Sequence, residues 1–512
     1  MRTILLALLG LISFPLAGQT FMRAYSNVAF PQPGGLLLPE DAIQMSDGSF
    51  VFTGFEGFLV HADAAGVPLR TLDIEDGVGG ALSSINLSLL AQAGPNQVFV
   101  AGNTSSDTLF IMRLDLGGSI VWQKSYRTPS NQPRTLLATP DGGLLTLAST
   151  GRGTTQSAIP ILTRLDANGN LVWQRRYFNS NPAAGRMNWY DVSRAANGDF
   201  LVTGTTVPAS PSRILVARLS AAGAVLWARE LAASNNSNEH GVAVAELSNG
   251  QIKVVVNNPV PGSQFGTVLL SASGDLLSAG AYSGGGANMT SAYIQSDGSV
   301  TGALTNLSTV VRLAPDGAPA FARSYDLQNG SFVLLNEIFP SSDGGLISFG
   351  GYTFSFFGDF ACTLFKTAAD GLLPPGFHTP VTLNLLTYAP SLSSAALSDS
   401  AGLPLLASQI GATETTMVYD TLFGTPPLAL DPPLPPLFQL GPNPATDVLR
   451  LAYAGDQPAV WRMLDPAGRV LAAGSLLPGQ EARLPVAQLA SGRYLCEVRA
   501  GTRRQAMVFV KP

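Results

Sequence analysis

Charged side chains are scarce in this chain of 512 residues: Asp, Glu, Lys and Arg together make up 12% of it, and the formal net charge is −5. Lys and Arg form no basic stripe, so the sequence lacks the electrostatic footprint of a protein that binds nucleic acid or an anionic membrane. Cysteine is limited to Cys362 and Cys496. A disulfide framework is therefore excluded, and each thiol is expected to be a small buried group.

Familiar catalytic and metal-binding signatures are also missing. The three histidines, His61, His240 and His378, have no cysteine or carboxylate at metal-ligand spacing. There is no Gly-x-Ser-x-Gly elbow, no His-Glu-x-x-His motif and no phosphate-binding glycine loop. The sequence thus predicts no catalytic residue, no metal site and no cofactor.

Glycine and proline are plentiful by contrast, with 54 and 36 residues, and hydrophobic residues reach 46%. Long amphipathic helices are hard to find. This composition is typical of an all-β protein with many tight turns. Because the chain exceeds one hydrophobic core of ordinary size, several domains or a repetitive architecture are expected.

The N-terminus has the layout of a secretory signal peptide. Arg2 precedes an apolar run from Ile4 to Leu16, and the small residues Ala17 and Gly18 follow. A run of about 13 apolar residues is too short to span a bilayer, which disfavours a membrane anchor. We expect residues 1–18 to be removed by cleavage near Gly18.

One unit of sequence recurs along the chain. Its copies are RLDLGGSIVWQKSY (113–126), RLDANGNLVWQRRY (164–177), RLSAAGAVLWAREL (218–231) and RLAPDGAPAFARSY (312–325). In each copy an aromatic residue stands four positions after a turn glycine, and Tyr or Leu stands four positions later again. Since side chains alternate along a strand, both positions are predicted to point into the same layer between sheets.

A second turn marker precedes each copy and sets the period. It is an Asp-Gly, Asn-Gly or related pair typical of tight hairpins. The marker glycines recur about every 50 residues, the length of a propeller blade of four short antiparallel strands. They are Gly48, Gly94, Gly142, Gly198, Gly250, Gly298 and Gly344.

The repeat predicts a β-propeller over residues 19–424. Seven units run from about residue 41 to 377, and a weaker eighth unit at 391–420 lacks a fourth strand. The segment FMRAYS (21–26) supplies a candidate, because Phe21 and Tyr25 match the aromatic positions of the repeat. Pairing that strand with the last blade removes exposed sheet edges. Eight blades are therefore the first choice and seven the second.

A different module follows the propeller. The Pro-rich stretch at 425–437 is expected to be a semi-rigid linker, because proline keeps the backbone extended and removes ladder donors. Residues 438–512 then alternate with period two in short segments separated by turns. This pattern predicts a small Ig-like β-sandwich.

The C-terminal module also carries a family resemblance. Its segments GPNPATDVLRL (441–451), LDPAGRVLAAG (464–474), LPVAQLASGRYLCEVRAG (484–501) and AMVFVKP (506–512) resemble the type A sorting domain of the Bacteroidetes type IX secretion system. The resemblance implies export by the Sec route, recognition by the type IX machinery, removal of the domain, and release or attachment to surface lipopolysaccharide. The signal-bearing residues that it implies are Asn443, Gly468, Gly492, Tyr494 and Lys511.

The propeller repeat has its own resemblance. Leu-Asp-x-x-Gly-x-x-x-Trp is similar to the tryptophan-docking repeats of quinone-dependent (PQQ-like) dehydrogenases and of bacterial outer-membrane assembly propellers, which use it without a cofactor. Only three copies keep Trp. We therefore favour a packing role, in which each aromatic ring fills the space between neighbouring sheets.

These observations leave three hypotheses for function. The leading one is a non-enzymatic protein outside the cell or on its surface, whose propeller is a rigid platform that binds a glycan or a protein. The second is an exported enzyme, glycan-directed or quinone-dependent, with its site in the central channel; a channel lined by several acidic residues would favour it. The third is a structural component of the cell surface.

Overall fold

The computed structural model divides into two compact units, and the described residues up to Gly424 belong to the first and those from Phe438 to the second. None of the described residues lies in a helix, so this part of the chain holds no helix that could span a membrane. The all-β prediction is confirmed. The signal peptide at 1–18 and the linker at 425–437 lie outside the described residues, which are 20–27, 39–54, 57–75, 86–103, 108–127, 132–150, 159–179, 186–207, 212–232, 239–284, 288–304, 308–325, 333–353, 360–373, 378–387, 389–395, 397–401, 405–406, 411–415, 417–424, 438–441, 445–454, 457–465, 469–500 and 503–511.

Seven five-stranded antiparallel sheets make up the described part of the first unit. Sheets 1 to 6 each begin with four strands that are consecutive in the chain. Those of sheets 1 to 3 are β2 (Pro39–Gln44), β3 (Phe50–Gly54), β4 (Phe58–Ala62) and β5 (Pro68–Glu75); β6 (Asn86–Gly94), β7 (Gln97–Asn103), β8 (Thr108–Asp115) and β9 (Ile120–Arg127); and β10 (Gln132–Ala138), β11 (Leu144–Thr150), β12 (Ile159–Leu165) and β13 (Leu171–Asn179).

The next three sheets repeat the same plan. Their strands are β14 (Arg186–Arg194), β15 (Phe200–Val207), β16 (Arg213–Leu219) and β17 (Val225–Ala232); β18 (His240–Glu246), β19 (Ile252–Asn257), β20 (Phe265–Leu270) and β21 (Leu276–Ser283); and β22 (Met289–Ile294), β23 (Val300–Leu304), β24 (Thr309–Leu313) and β25 (Pro319–Tyr325). The predicted glycine turns join the strands. In sheet 4, for example, Gly198 and Gly223 have φ values of 92° and 80°, which glycine adopts without the steric cost that a Cβ brings.

Sheet 7 joins the two ends of the first unit. It contains β26 (Val333–Pro340), β27 (Leu346–Thr353), β28 (Phe360–Thr367) and the N-terminal strand β1 (Phe21–Asn27). In β1, Phe21 pairs with Lys366 and Tyr25 with Cys362. The sequence assigned this segment to the fourth strand of an eighth blade; in the structure it is the fourth strand of sheet 7.

The seven sheets are arranged in a ring. The first strand of each sheet contacts the first strand of the next, and β26 of sheet 7 contacts β2 of sheet 1. The hydrophobic core lies between neighbouring sheets: Tyr177 of sheet 3 and Trp189 of sheet 4, both fully buried, have ring centroids 4.6 Å apart. Burial of such large side chains at every sheet-to-sheet contact is the main stabilising term of this fold.

The described residues contain no eighth sheet, although the sequence favoured eight blades. Residues 378–424, called the strap below, form no sheet of their own among the described residues; each strap strand is the fifth strand of an existing sheet. An open sheet edge accepts any extended segment through main-chain hydrogen bonds, so the strap needed no partner strands of its own. In chain order the strap strands are β29 (His378–Pro380), β30 (Asn384–Leu386), β31 (Ser391–Ser394), β32 (Leu397–Ala401), β33 (Leu405–Leu406), β34 (Gly411–Thr415) and β35 (Met417–Gly424).

The second unit contains two antiparallel sheets that share one core. Buried residues of both sheets, among them Leu449, Leu484, Trp461 and Phe509, form a single cluster. One sheet has the order β36-β37-β40 and the other β39-β38-β41-β42. Their strands are β36 (Phe438–Gly441), β37 (Val448–Tyr453), β38 (Ala459–Leu464), β39 (Val470–Leu476), β40 (Glu481–Pro485), β41 (Gly492–Ala500) and β42 (Arg503–Lys511).

Candidate functional site

The repeated residues of the fourth strands fasten each sheet to the next. On β13, Trp173 Nε1, Arg175 Nε and Tyr177 OH donate hydrogen bonds of 3.2, 2.8 and 2.8 Å to three consecutive carbonyl oxygens of the 221–223 turn in sheet 4. Alternate residues of a strand point the same way, which is why every second position takes part. The repeat found in the sequence thus has a structural explanation.

The tyrosine contact recurs around the ring. Tyr25, Tyr282 and Tyr325 each donate from their hydroxyl to the carbonyl of the turn glycine in the next sheet, at 2.6, 2.6 and 2.7 Å. Before Tyr25 and Tyr325, the aromatic residue four positions earlier lies over that glycine, whereas Ser278 holds this position before Tyr282. At Gly169, for example, a Cβ atom would lie 2.6 Å from the Trp122 ring. The aromatic residues therefore pack between sheets, as the sequence favoured.

The innermost strands line a cavity of about 660 Å³. All seven first strands contribute to its wall, so it is the channel along the axis of the ring. Its size is in the range typical of small-molecule sites. Its polar lining side chains are Asp41, Gln44, Ser46, Gln92, Arg134, Thr135, Tyr190, Asp191, Thr290, Ser291, Tyr293, Glu337 and Ser342.

Each of the seven first strands has a β-bulge at the same point. A bulge places one extra residue opposite the neighbouring strand and redirects the side chains around it. The bulge interrupts the pairing of β2 between Pro39 and Asp41, and that of β14 between Trp189 and Asp191. The extra residues are Glu40, Ser88, Arg134, Tyr190, Val242, Thr290 and Asn336.

The residue after the bulge connects neighbouring first strands. Asp41 Oδ2 accepts a 2.6 Å hydrogen bond from the backbone N–H of Leu90 in sheet 2. Asp191 Oδ2 accepts one of 3.0 Å from Val244 in sheet 5. In sheet 6 the hydroxyl of Ser291 accepts the equivalent bond, at 3.3 Å, from the N–H of Ile338. A serine hydroxyl makes the same contact at a longer distance, so this contact does not require a carboxylate.

Burial dominates the electrostatics of the channel. Asp41, Asp191 and Glu337 face the cavity, but the surrounding protein keeps them poorly solvated, which disfavours the charged form. Burial raises the pKa of Asp191 to about 6. It also raises the pKa of Asp41 and of Glu337, and each of these two is raised further by a neighbouring carboxylate. Ser291 donates a 2.7 Å hydrogen bond to Glu337 Oε1.

The bulge residues of sheets 3 and 4 carry a cationic and an aromatic group. The guanidinium of Arg134 lies 5.7 Å from the centroid of the Tyr190 ring, a favourable cation–π distance. The rings of Tyr190 and His240 are 5.1 Å apart. Asn257 Nδ2 lies 3.1 Å from His240 Nε2 and donates a 2.8 Å bond to the carbonyl of Met289 in sheet 6. These contacts therefore join four neighbouring sheets, 3 to 6. The bulge residues that line the cavity, Arg134, Tyr190, Val242 and Thr290, are called the bulge rim below.

The histidines do not come together. His61 lies on β4, with Nε2 3.2 Å from the Ser49 hydroxyl, whereas His240 lies beside the channel. The described residues contain no group of three or more His, Cys, Asp or Glu side chains that could hold a metal ion. Cys362 and Cys496 are both buried thiols, as predicted.

Three of the five residues assigned to a sorting signal lie in the described part of the second unit. Gly492 on β41 pairs with Lys511 on β42, and Lys511 Nζ donates a 2.7 Å hydrogen bond to the carbonyl of Thr446. Tyr494 is buried; its ring stacks on Phe509 at 5.4 Å, and its hydroxyl donates to the Ala490 carbonyl at 2.8 Å. The other two, Asn443 and Gly468, lie outside the described residues.

Sequence reasoning missed the channel residues, although the repeat contains a signal for them. In six of the seven sheets the residue after the bulge stands seven positions before the marker glycine. Aligning the repeats on that glycine would have placed them in one register. The six residues are Asp41, Thr135, Asp191, Ala243, Ser291 and Glu337.

Comparison with known proteins gives low similarity throughout. No family model matches the chain, and no curated protein matches it. Among solved structures, it is similar to an inactive virginiamycin B lyase from Staphylococcus aureus with quinupristin, at 11% identity and a TM-score of 0.44, over 67% of this chain and 98% of the lyase. YCF48 from Cyanidioschyzon merolae has 12% identity and a TM-score of 0.38, over 68% and 100%.

PorZ, a surface component of the type IX secretion system of Porphyromonas gingivalis, has 11% identity and a TM-score of 0.25, over 91% of this chain and 74% of PorZ. Identities and TM-scores this low carry no conclusion about activity. The ring of sheets is seen directly in the strand pairing and in the contacts between first strands of this chain.

Proposed function

We propose that the first unit is a seven-bladed β-propeller that binds a glycan at the bulge rim of its channel and does not transform it. The observation that carries the proposal is the convergence of differing polar groups from six of the seven first strands on one cavity of about 660 Å³. A cavity of this size accepts a few sugar rings rather than a folded protein.

The rim chemistry suits a sugar. Tyr293, which is 41% exposed, offers an aromatic face to the apolar face of a sugar ring, and Tyr190 lines the same cavity. Arg134 and Thr290 are exposed at the same cavity. Arg134 donates hydrogen bonds, and the Thr290 oxygen can accept one while its own proton is donated to the Leu335 carbonyl at 2.8 Å. Both suit the hydroxyl groups of a glycan.

Binding is tested on a glycan array with the full chain. We expect Tyr190→Ala and Arg134→Gln each to weaken binding at least tenfold, because each removes a rim contact without touching the core. Arg499→Gln, an exposed arginine of the second unit, is the matched control and should bind as the unaltered chain does. Absence of any glycan ligand, or equal binding by all variants, would contradict the proposal.

A second candidate function is a glycan-directed enzyme, and the acidic lining of the channel favours it. Carboxyl groups with raised pKa are suited to general acid catalysis near neutral pH. Glu337 is the best candidate acid, with Asp41 as the neighbouring carboxylate that raises its pKa. The inter-sheet hydrogen bond of Asp41 supports the binding role instead, because it gives that carboxyl a structural purpose.

Product analysis separates the two candidates. The unaltered chain and Glu337→Gln are incubated with each glycan that binds, and the products are followed by chromatography. For a binding protein we expect intact glycan in both samples. Cleavage by the unaltered chain that disappears in Glu337→Gln would establish the enzyme and refute the platform.

We also propose that the second unit is a type A sorting domain, so that the protein reaches the cell surface or the medium through the type IX machinery. The order of its motifs supports this, together with the pairing of Gly492 with Lys511 near the C-terminus. Deleting 438–512 in a type IX-secreting bacterium should retain the protein in the periplasm. A matched deletion of the linker residues 426–436 should still be exported, and unchanged surface delivery without 438–512 would refute the assignment.

A further inference from the structure

The strap runs around the whole ring. Its strands pair with the fourth strands of sheets 6, 5, 4, 3, 2 and 1 in that order, which is the reverse of the order in the chain, and end on β1 in sheet 7. Each contact is a short antiparallel ladder, from two residue pairs at β33 to seven at β35. The N-terminal strand β1 thus lies between β28 and β35.

Main-chain hydrogen bonds carry this attachment. Two more main-chain hydrogen bonds lie just outside the strap strands. Val381 N–H donates one of 2.9 Å to the Ala322 carbonyl, and Ala395 N–H donates one of 3.1 Å to the Ala228 carbonyl. Addition of an extended segment to a sheet edge is a general mode of peptide recognition, in which the backbone supplies affinity. The ring offers seven such edges to one continuous segment.

Charge favours the same pairing. The strap sequence contains Asp399, Glu414 and Asp420 but no Lys or Arg. The strands that it covers carry eight basic and three acidic residues, the acidic ones being Asp73, Glu75 and Glu230, and complementary net charge speeds association. Those basic residues are Arg23, Arg70, Lys124, Arg127, Arg175, Arg176, Arg229 and Arg323.

The ring keeps four strands in every sheet without the strap. Sheets 1 to 6 retain their four consecutive strands, and sheet 7 retains β26 to β28 with β1. The strap adds only an outermost strand to each, so its departure breaks no ladder inside a sheet. An element held only at its edges, and joined to the rest by one connection, is suited to exchange between copies.

We propose that the strap is a peptide ligand bound in cis, and that a second copy of the chain supplies it in trans. Residues 378–424 of one molecule then pair with the seven sheet edges of another molecule, and the exchange is reciprocal. The connection between Leu373 and His378 keeps the strap at high local concentration beside its own ring. Exchange is therefore slow in the intact chain and accelerates when that connection is cut.

The test uses the full chain with a specific protease site inserted between Leu373 and His378. Two preparations with different affinity tags, one on the ring fragment and one on the strap fragment, are cut, mixed and followed by two-step capture. We expect the fragments to stay bound after cutting, and mixed pairs to rise with time until mixed and parental pairs are equal. Uncut chains mixed in the same way should exchange at least tenfold more slowly.

Two matched variants sharpen the test. The same protease site placed within 151–158 divides sheet 3 between interior strands, so its fragments should not exchange. Ala412→Pro with Thr413→Pro removes ladder donors from β34, one of which faces β5 because neighbouring residues alternate in an antiparallel ladder; this pair should speed exchange. Fragments that separate immediately on cutting would overturn the ligand role, and bound fragments that never form mixed pairs would overturn supply in trans.

Discussion

Removal of the Tyr177 hydroxyl measures how much the hydrogen bond between sheets 3 and 4 contributes to the free energy of unfolding. The Tyr177 side chain is fully buried, and its hydroxyl donates 2.8 Å to the carbonyl of Gly223. In Tyr177→Phe the ring stays against Trp189, but the buried carbonyl loses this donor. The cost of an unsatisfied buried acceptor is about 1–3 kcal/mol of unfolding free energy. For a unit of this size it lowers the thermal midpoint by about 2 °C.

Tyr126 provides the matched control. It occupies the same repeat position in sheet 2 and is 1% exposed, but its hydroxyl has no hydrogen-bond partner among the described residues. Burial alone raises its pKa to about 12. Tyr126→Phe should therefore be neutral or slightly stabilising, because it removes a buried polar group that nothing satisfies. Differential scanning calorimetry of the full chain measures both midpoints, and an equal loss in the two variants would refute the reasoning.

Three further predictions follow from the packing and the channel. Gly223→Ala should lower the thermal midpoint more than Tyr177→Phe does. Alanine is strained at φ +80°, and its Cβ would lie 2.9 Å from Arg175 Cδ. A calorimetric midpoint within error of that of the unaltered chain would contradict this. Since the folded pKa of Asp191 lies near 6, above its ordinary 3.8, the folded chain binds the proton more tightly, so stability falls as pH rises from about 4 to 6. Asp191→Asn should flatten that part of a urea-midpoint profile, and an unchanged slope would show that other groups set it. The thiols of Cys362 and Cys496 should react with a chromogenic disulfide reagent only after denaturation. Burial raises the pKa of Cys496 to about 12 and that of Cys362 well above its usual value. Labelling of the native chain would show that one of the two thiols is accessible.

The sequence predicted the parts of the ring that depend on local rules. Turn glycines at a constant period, and aromatic residues at a fixed distance from them, specify a four-stranded unit whichever neighbour it meets. The assignment of β1 succeeded for the same reason, because Phe21 and Tyr25 repeat the spacing of Trp173 and Tyr177. Each of these signals lies within one strand and one turn.

The strap and the channel depend on contacts between distant residues. The sequence of 391–420 predicts one further blade, and no local feature in it indicates that its strands join the edges of other sheets. The role of Asp41 likewise depends on the N–H of Leu90, 49 residues away. The register of the bulges is visible in the sequence only once the repeats are aligned on their turn glycines.

The seven bulges have a consequence for recognition. One backbone feature is copied seven times, yet the residues that it presents are Glu40, Ser88, Arg134, Tyr190, Val242, Thr290 and Asn336, seven different amino acids. The scaffold is rotationally repetitive, but its inner face has no rotational symmetry. Under the proposed binding role, a ligand that enters the channel meets one preferred orientation among seven. Single substitutions at the four bulge residues that line the cavity, Arg134, Tyr190, Val242 and Thr290, should change what is recognised while leaving the ladder of strands intact.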